Sequence, residues 1–351
     1  MTQENAPATF ATFADWCQHK VQLAPAARNT VNQLLKTAGT SACDQATAAL
    51  TTLTSLDLDG YPNELGLSIT DVSPLASLTN LTMLDLSSNG IVDIAPLTSL
   101  TRLTQLDLGS NDITDITPLA HLPHLTELGL YDNQIRDVSP LVHLINLTVL
   151  DLSDNPIVDL VPLACLHTLA LLYLEKNAFT DLCPLADLNR LRSLHLAGNH
   201  LVDIAPLASL TQLQALDLSF NDLSDLTPLA SLTHLTRLNL RNNQLVDLTP
   251  LANLTQLTEL NLYNNQIADV TPLARLTNLQ KLDLGINQIA DVTPLASLTH
   301  LKSLNLGINQ VTDVAPLVNL QHLTELGLFC NPLDPLARLQ MHWLVRTIRH
   351  L

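Results

Sequence analysis

The sequence predicts an α/β repeat solenoid, in which parallel strands form a concave sheet and short 3₁₀ or helical segments return the chain. Two ladders of identical residues predict this fold. Asparagines recur every 22 residues from Asn89 to Asn331, and aspartates recur at the same period from Asp71 to Asp313. A proline follows each aspartate three residues later, and no insertion interrupts the register. Periods of about 20 to 50 residues are typical of solenoids, whose units bury their apolar faces by stacking.

The repeat unit, here called a coil, reads LxxLxLxxNxIxDIxPLxxLxx. Strand side chains alternate between two faces, so Leu84 and Leu86 are predicted to enter the core. Met83 and Asp85 are then predicted to face solvent. Leucines of the return segment, such as Leu97, are expected to close the core from the other side.

Local chemistry accounts for the two ladders. An asparagine amide in the turn after each strand can bind unpaired backbone groups of neighbouring coils, so this column is predicted to be structural. Asp93 and its equivalents are predicted to accept backbone N–H groups in the same turn, which we favour over a calcium or catalytic role. The prolines mark the first residue of each return segment.

Three regions are predicted: a helical N-terminal cap at 1–50, a solenoid of about thirteen coils at 51–333, and a C-terminal capping helix at 334–351. In the N-terminal cap we expect one helix around Phe10 to His19 and a second from Pro25 to Gly39. A capping box from Ser41 to Asp44 predicts the start of a third. The last helix carries an apolar stripe that includes Trp343.

The first coil carries a longer loop than the others. Its local cluster of Asp57, Asp59, Asn63 and Glu64 offers oxygen ligands for calcium. The spacing of these residues does not match an EF-hand loop, so we expect a plain surface loop.

Composition limits the classes of function. The chain is 46% hydrophobic and 14% charged, with a net charge of -17, which is typical of neither a disordered nor a nucleic-acid-binding protein. No apolar run approaches the roughly 20 residues of a membrane helix, and the start of the chain lacks a signal-peptide pattern. A cytoplasmic monomer without cofactors is therefore expected. The alternative is export by a route without a recognisable signal peptide, in which case Cys17 and Cys43 could pair.

The segment LTQLTELNLYNNQIADVTPLARL shows the consensus most clearly. It resembles the 22-residue class of leucine-rich repeats found in bacterial internalins and in a nuclear regulatory subunit of protein phosphatase 1. The resemblance covers about residues 53–333. It implies a leucine-rich-repeat horseshoe and a non-catalytic role, because members of this class grip partner proteins with the concave face.

The concave face is expected to comprise the third, fifth, seventh, eighth and tenth positions of each coil. These positions hold fifteen acids against four bases. Six aspartates share the fifth position: Asp57, Asp85, Asp107, Asp151, Asp217 and Asp283. Charges of one sign in neighbouring strands favour a partner with a basic surface, whereas a merely solubilising face is the equally weighted alternative.

Aromatic residues are concentrated on the same face. Large aromatic groups on a rigid surface are typical of interface hot spots, because they bury much area at a low entropy cost. The predicted partner-binding residues are Glu127, Tyr131, Tyr173, Glu175, Lys176, His195, Asp217, Phe220, Arg237, Arg241, Tyr263, Lys281 and Phe329. The alternative is sequence drift within a duplicated repeat.

An enzymatic function finds little support. The chain has no phosphate-binding loop, no zinc-protease motif and no GxSxG sequence. One column on the outer side, formed by His121, His143, Cys165 and Asp187, has residue types that suit zinc. Coils diverge on that side, so we expect no metal there.

We therefore predict a non-enzymatic protein-binding module that uses its acidic, aromatic concave face. Three alternatives remain open at this point: an exported internalin-like adhesion or effector protein, a regulatory subunit of a phosphatase, and a metal-binding protein that uses the outer column.

Overall fold

The computed structural model describes residues 10–60 and 68–335. The chain divides into two compact units, one up to residue 169 and one from residue 170. The first unit contains the N-terminal helices and five strands of the described chain, and the second contains eight strands. Of the predicted features, Asn63, Glu64 and the C-terminal helix beyond residue 335 lie outside the described residues.

Three α-helices and one 3₁₀ turn form the N-terminal cap among the described residues: α1 (Phe13–Gln18), the turn Lys20–Gln22, α2 (Pro25–Ala38) and α3 (Cys43–Leu50). Helix α2 begins at Pro25 and ends against Gly39, whose φ of 67° is the left-handed conformation that glycine adopts most readily. Both ends agree with the prediction. Phe13, Val31 and Leu34 are fully buried and form the centre of the cap.

The predicted capping box at Ser41 was wrong. Helix α3 starts at Cys43, so its N-cap is Ala42, which makes no side-chain cap. Instead, the Thr40 hydroxyl accepts a hydrogen bond from the Ala42 N–H at 3.2 Å. The capping box of this region belongs to α1, where Thr12 Oγ1 accepts the amide hydrogen of Asp15 and the Asp15 carboxylate accepts that of Thr12.

A disulfide joins Cys17 of α1 to Cys43 of α3, with the two Cα atoms 5.6 Å apart. The bond ties the first helix of the cap to the third. The sequence left this pairing open, and the structure forms it.

The strands of the first unit are β1 (Ser55–Asp57), β2 (Met83–Asp85), β3 (Gln105–Asp107), β4 (Glu127–Gly129) and β5 (Val149–Asp151). Each pairs in parallel with the next along the chain. The 3₁₀ return segments of this unit are Ser73–Leu75, Ala95–Ser99, Thr117–His121, Ser139–His143 and Val161–Cys165.

The strands of the second unit are β6 (Leu171–Tyr173), β7 (Ser193–His195), β8 (Ala215–Asp217), β9 (Arg237–Asn239), β10 (Glu259–Asn261), β11 (Lys281–Asp283), β12 (Ser303–Asn305) and β13 (Glu325–Gly327), again parallel and in sequence order. Its 3₁₀ return segments are Cys183–Leu185, Ala205–Ser209, Thr227–Ser231, Thr249–Asn253, Thr271–Arg275, Thr293–Ser297 and Ala315–Asn319.

The strand pattern sets the core as predicted. Leu84, Leu86 and Leu97 are all at most 3% exposed, whereas Met83, the strand residue just before Leu84, is 45% exposed. The fold class is therefore confirmed as an α/β solenoid with parallel strands, 3₁₀ returns and a helical N-terminal cap. No helix among the described residues is both long and apolar enough to cross a membrane.

The asparagine ladder joins neighbouring coils. In a typical coil, Asn111 Nδ2 donates to the carbonyls of Leu86, Leu108 and Gly109 at 3.0 to 3.1 Å. Its Oδ1 accepts the amide hydrogen of Ile91 in the preceding coil at 2.9 Å. The predicted structural role is confirmed, because this one buried amide satisfies four backbone groups of two coils.

The aspartate ladder is also structural. At all twelve positions of the ladder the aspartate Oδ1 accepts the amide hydrogen two residues later, at 2.8 or 2.9 Å, as the sequence predicted. These bonds fix the start of each 3₁₀ return segment. For Asp115 and Asp247, hydrogen bonds from the following threonine hydroxyl and amide lower the pKa of the carboxyl.

Candidate partner-binding surface

The predicted binding residues lie on one face of each unit, here called the strand face. It is the face to which the odd-numbered residues of the strands point. Eleven of them lie in the second unit. Glu127 and Tyr131 lie in the first unit, at β4 and in the turn that follows it. The strand leucines between these positions, such as Leu216 and Leu238, point into the core and are 2% exposed, so polar and aromatic side chains form the surface.

The fifth position of the coil has a structural role that was not predicted from the sequence. Each aspartate or asparagine there accepts, through Oδ1, the amide hydrogen two residues later, which closes the turn at the end of the strand. This bond occurs at Asp57, Asp85, Asp107, Asp151, Asp217, Asn239, Asn261, Asp283 and Asn305. Asparagine serves the turn as well as aspartate, so the turn does not require the negative charge.

The negative charges in and beside this column repel one another. Burial raises the pKa of the Asp107 carboxyl, and the charges of Asp85, Asp151 and Asp59 raise it further. Burial and the Asp107 charge also raise the pKa of the Tyr131 hydroxyl. The Tyr131 ring lies over Gly109, since a Cβ built on that glycine would be 2.1 Å from ring atom Cε1.

The first group of predicted residues that the structure brings together is Tyr173, Glu175 and His195. The rings of Tyr173 and His195 stack with centroids 4.5 Å apart. His195 Nδ1 lies 3.5 Å from Glu175 Oε1, and its Nε2 lies 2.9 Å from Ser193 Oγ. Glu175 and Ser193, which lie on the strand face with His195, hold its imidazole in place. The imidazole in turn supports the Tyr173 ring that stacks on it.

The second group, here called the arginine cluster, is Phe220, Arg241 and Tyr263. The guanidinium carbon of Arg241 lies 4.8 Å from the centroid of the Phe220 ring and 5.7 Å from that of Tyr263. The Arg241 Nε atom is buried without a hydrogen-bond partner in the described chain. Phe220 is 50% exposed. A cation between two aromatic faces is rigid, partly desolvated and available to a partner.

A groove of about 430 Å³ runs along strands β7 to β12 beside this cluster. Its lining includes His195, Asp217, Arg237, Glu259 and Lys281. Lys281 Nζ pairs with Glu259 Oε1 at 2.9 Å. The exposed side chain of Arg237 makes no hydrogen bond or ion pair with the described residues. Arg237 is therefore a cation of the groove that no carboxylate of the described residues pairs with.

The remaining predicted residues are spread along the turns after the strands. Phe329 lies over Gly307, where an added Cβ would be 2.2 Å from ring atom Cε1. Lys176 and Phe220 occupy the eighth position of their coils with φ of 50° and 55°. The left-handed backbone at this position was not foreseen from the sequence, although serine, aspartate and asparagine at many eighth positions gave a signal.

The outer column does not assemble into a metal site within the described residues. His121, His143, Cys165 and Asp187 are exposed. Cys165 Sγ lies 3.5 Å from the Pro162 carbonyl oxygen, and His121 Nδ1 lies 3.3 Å from that of Pro118. Among residues 10–60 and 68–335, no group of three or more His, Cys, Asp or Glu side chains is placed to hold a metal ion.

Family models place this architecture among known proteins. The model described as Leucine Rich repeats (2 copies) matches residues 79–121, 101–143, 189–231, 211–253, 233–275, 255–297 and 277–319. The model described as Leucine Rich Repeat matches residues 146–167. No curated protein has a significant match to the chain.

Three solved structures are informative. An internalin, InlF from Listeria monocytogenes, is 35% identical with a TM-score of 0.84, over 95% of this chain and 96% of that chain. The leucine-rich-repeat protein LIC12759 from Leptospira interrogans is 23% identical with a TM-score of 0.76, over 96% and 98%, and shows the fold alone. TLR13, in its complex with ssRNA13, is 29% identical with a TM-score of 0.66, over 82% of this chain and 45% of TLR13.

The family models cover more than half of the chain, and the similarity to InlF extends over nearly all of it. The protein therefore belongs to the leucine-rich-repeat family, with repeats of the internalin type.

Proposed function

We propose that this protein is a non-enzymatic protein-binding module that holds its partner on the strand face of the second unit. The observation that carries the proposal is the arginine cluster. Arg241 is held between Phe220 and Tyr263, and its Nε–H has no acceptor among the described residues. Tyrosine, tryptophan and arginine dominate interface hot spots, and preorganised side chains lose little entropy on binding.

Charge supports a protein partner over a nucleic acid. The TLR13 complex shows that a leucine-rich-repeat protein can bind RNA. In this chain, however, the strand-face positions hold fifteen acids against four bases. Binding of nucleic acid draws mainly on Lys and Arg contacts to phosphates, so an acidic face would repel the backbone. The same acids favour a partner with a basic surface.

A triple variant tests this proposal without disturbing the fold. Tyr173→Asn, Phe220→Asn and Arg241→Ser each introduce a residue that other coils carry at the same position, as at Asn239, Asn242 and Ser219. We expect the native chain to enrich one partner by quantitative affinity capture from lysate and medium of the source cell. The triple variant should lose that partner while its melting temperature is unchanged or higher.

The matched control removes exposed apolar groups away from the strand face. Val158, Val202 and Val246 are 58% to 65% exposed at the twelfth position of their coils. Replacing all three with serine should leave capture unchanged. Equal capture by the native chain and the strand-face variant would contradict the proposal.

A second candidate, an exported internalin-like adhesion or effector protein, is supported by the disulfide between Cys17 and Cys43. Structural disulfides persist in oxidising compartments and are rare in the cytosol. The oxidation state distinguishes this candidate from the cytoplasmic location predicted from the sequence. Protein from its source can be alkylated without reduction and analysed by mass spectrometry. The two cysteines should be unalkylated and joined by a disulfide if the protein is exported, and both should be alkylated if it is cytoplasmic.

A further inference from the structure

We infer that four side chains at the C-terminal end of the second unit bind a large apolar side chain of the partner, carried on a segment with a neighbouring Lys or Arg. These residues, here called the apolar platform, are Tyr263, Ile286, Ile308 and Phe329. The inference rests on the proposed function and adds to it a contact area that shares Tyr263 with the arginine cluster, together with the chemistry of the partner segment.

The strongest observation is the backbone of the two isoleucines. Ile286 and Ile308 have φ of 53° and 58°, in the left-handed region. For a β-branched residue this conformation is a genuine outlier, whereas asparagine and aspartate tolerate it. The neighbouring coils carry Asn242 and Asn264 at the same position.

The strand ladder imposes this conformation whatever the side chain is. The Ile286 N–H donates to the Gly307 carbonyl, and the Ile308 N–H donates to the Phe329 carbonyl, both at 2.8 Å. Asn264 makes the same bond to Gly285 at 2.8 Å. The fold thus demands left-handed backbone at this position and would be served better by asparagine. Strained residues that folding does not require are candidates for function.

Core packing does not explain the isoleucines. Leu284 and Leu306 fill the core in these coils and are fully buried. Ile308 is 41% exposed and Phe329 is 58% exposed. The apolar surface of the platform therefore faces outward.

Two glycines leave room for the aromatic rings of the platform. A Cβ built on Gly307 would be 2.2 Å from Cε1 of Phe329, and one built on Gly285 would be 2.9 Å from Cδ2 of Tyr263. The two rings thus approach from opposite sides, across the coils that carry Ile308 and Ile286. Any larger residue at Gly307 would displace the Phe329 ring. Tyr263 and Phe329 thus flank the two coils that carry the isoleucines, and we assign the four side chains together to one large apolar side chain of the partner.

The charges around the platform indicate which residue of the partner lies next to its apolar side chain. In the coils of β10 to β13, which carry the platform, the strand-face acids are Glu259, Asp283 and Glu325, and the strand-face base is Lys281. Lys281 is paired with Glu259. Asp283 and Glu325 accept hydrogen bonds from Asn305 and Ser303, which do not neutralise them. A partner segment with Lys or Arg beside its apolar residue is therefore complementary.

The test is selection of displayed random peptides on the full chain, followed by affinity measurement on selected peptides by fluorescence anisotropy. We expect enriched peptides to carry Phe, Trp, Leu or Ile next to Lys or Arg. The variant Ile286→Asn/Ile308→Asn should bind them about tenfold or more weakly, as expected for loss of a hot spot. It should also melt at a higher temperature than the native chain, because asparagine relieves the backbone strain, so weaker binding would not report misfolding.

Further variants separate this inference from the proposed function. Phe329→Ser, which places at the seventh position a residue found there at Ser219, should also weaken binding. If both platform variants bind as tightly as the native chain while Phe220→Asn/Arg241→Ser does not, the platform inference fails and the proposed function stands. Selected peptides without an apolar residue, or no enrichment at all, would also overturn the inference. A native dimer that becomes monomeric in Ile286→Asn/Ile308→Asn would assign the platform to a second copy of the chain and overturn it as well.

Discussion

Asn221 Nδ2 donates a hydrogen bond to the carbonyl oxygen of Leu196, 25 residues earlier, at 3.0 Å. The same nitrogen donates to the carbonyls of Leu218 and Ser219. Its Oδ1 accepts the amide hydrogen of Leu201 at 2.9 Å. The side chain is 5% exposed, so water cannot replace these bonds. Each asparagine of this ladder thus serves as the polar link between its own coil and the one before it.

Replacing Asn221 with alanine should lower the free energy of unfolding by about 2 to 4 kcal/mol, because several buried backbone groups lose their partners together. Urea unfolding followed by circular dichroism measures the loss. Asn278→Ala is the matched control, since Asn278 is exposed and makes one bond, to the Thr255 carbonyl at 2.8 Å. The control should lose less than about 1 kcal/mol. Similar losses in both variants would show that the coil-to-coil bonds of Asn221 do not stabilise the fold.

The fold was predictable because the same local chemistry recurs in every coil. The leucines of the strand, the asparagine that follows and the aspartate before each return segment are repeated without insertion, so each position could be interpreted from many examples. The helix from Pro25 was predictable from proline and glycine at its ends. The start of α3 was not, because Ser41, Ala42 and Cys43 are adjacent and the choice of N-cap depends on how the helix packs.

The binding surface was predictable only in part. The repeat register placed Phe220 and Arg241 at the eighth and seventh positions of their coils, both on the predicted concave face, but their stacking depends on side-chain directions in the turn after the strand. The role of Asp217 in closing that turn competes with its assignment to binding. Ile286 and Ile308 were not among the predicted binding residues, because the left-handed backbone that makes them unusual is a property of the three-dimensional turn.

Reduction of the Cys17–Cys43 disulfide should destabilise the N-terminal cap. The bond closes a loop with a sequence separation of 26. Cross-links over such loops stabilise by about 3 kcal/mol, mainly by restricting the unfolded chain. The variant Cys17→Ser/Cys43→Ser should therefore lose protection in α1 and α3 when amide hydrogen exchange is measured by mass spectrometry. Cys165→Ser/Cys183→Ser, which removes two exposed free thiols, is the control. Unchanged exchange in the cap of the disulfide variant would contradict the prediction.

Acid should weaken the aspartate ladder. Hydrogen bonds from the following threonine lower the pKa values of Asp225, Asp247 and Asp269 below the ordinary value of 3.8. A group with a depressed folded pKa contributes stability above its unfolded pKa and loses it as the pH falls through its folded pKa. The native melting temperature should therefore decrease as the pH falls below about 3.8. The variant with all three aspartates changed to asparagine keeps the accepting oxygen and should show a shallower decrease. If the melting temperatures of the native chain and the variant decreased equally with falling pH, these aspartates would not be the origin of the acid sensitivity.

Asp107→Asn should stabilise the first unit at neutral pH. Burial, with the charges of Asp85, Asp151 and Asp59, raises the Asp107 pKa above its ordinary value of 3.8. A raised folded pKa means that stability is fully present below the unfolded pKa and is lost as the pH rises through the folded pKa, so the penalty is complete at neutral pH. Asparagine removes the charge and keeps the oxygen that accepts the Gly109 amide hydrogen at 2.8 Å.

The measurement is the melting temperature of Asp107→Asn as a function of pH, compared with the native chain. We expect the variant to melt a few degrees higher at neutral pH and the gain to disappear below about pH 3.8, where the native carboxyl is protonated in both states. Asp115→Asn is the control of opposite sign, because hydrogen bonds from Thr117 lower the pKa of Asp115. It should melt at or below the native temperature at neutral pH. If Asp107→Asn also melted below the native chain, the charge of Asp107 would have to be stabilising, and the repulsion inferred for the acidic column of the strand face would be wrong.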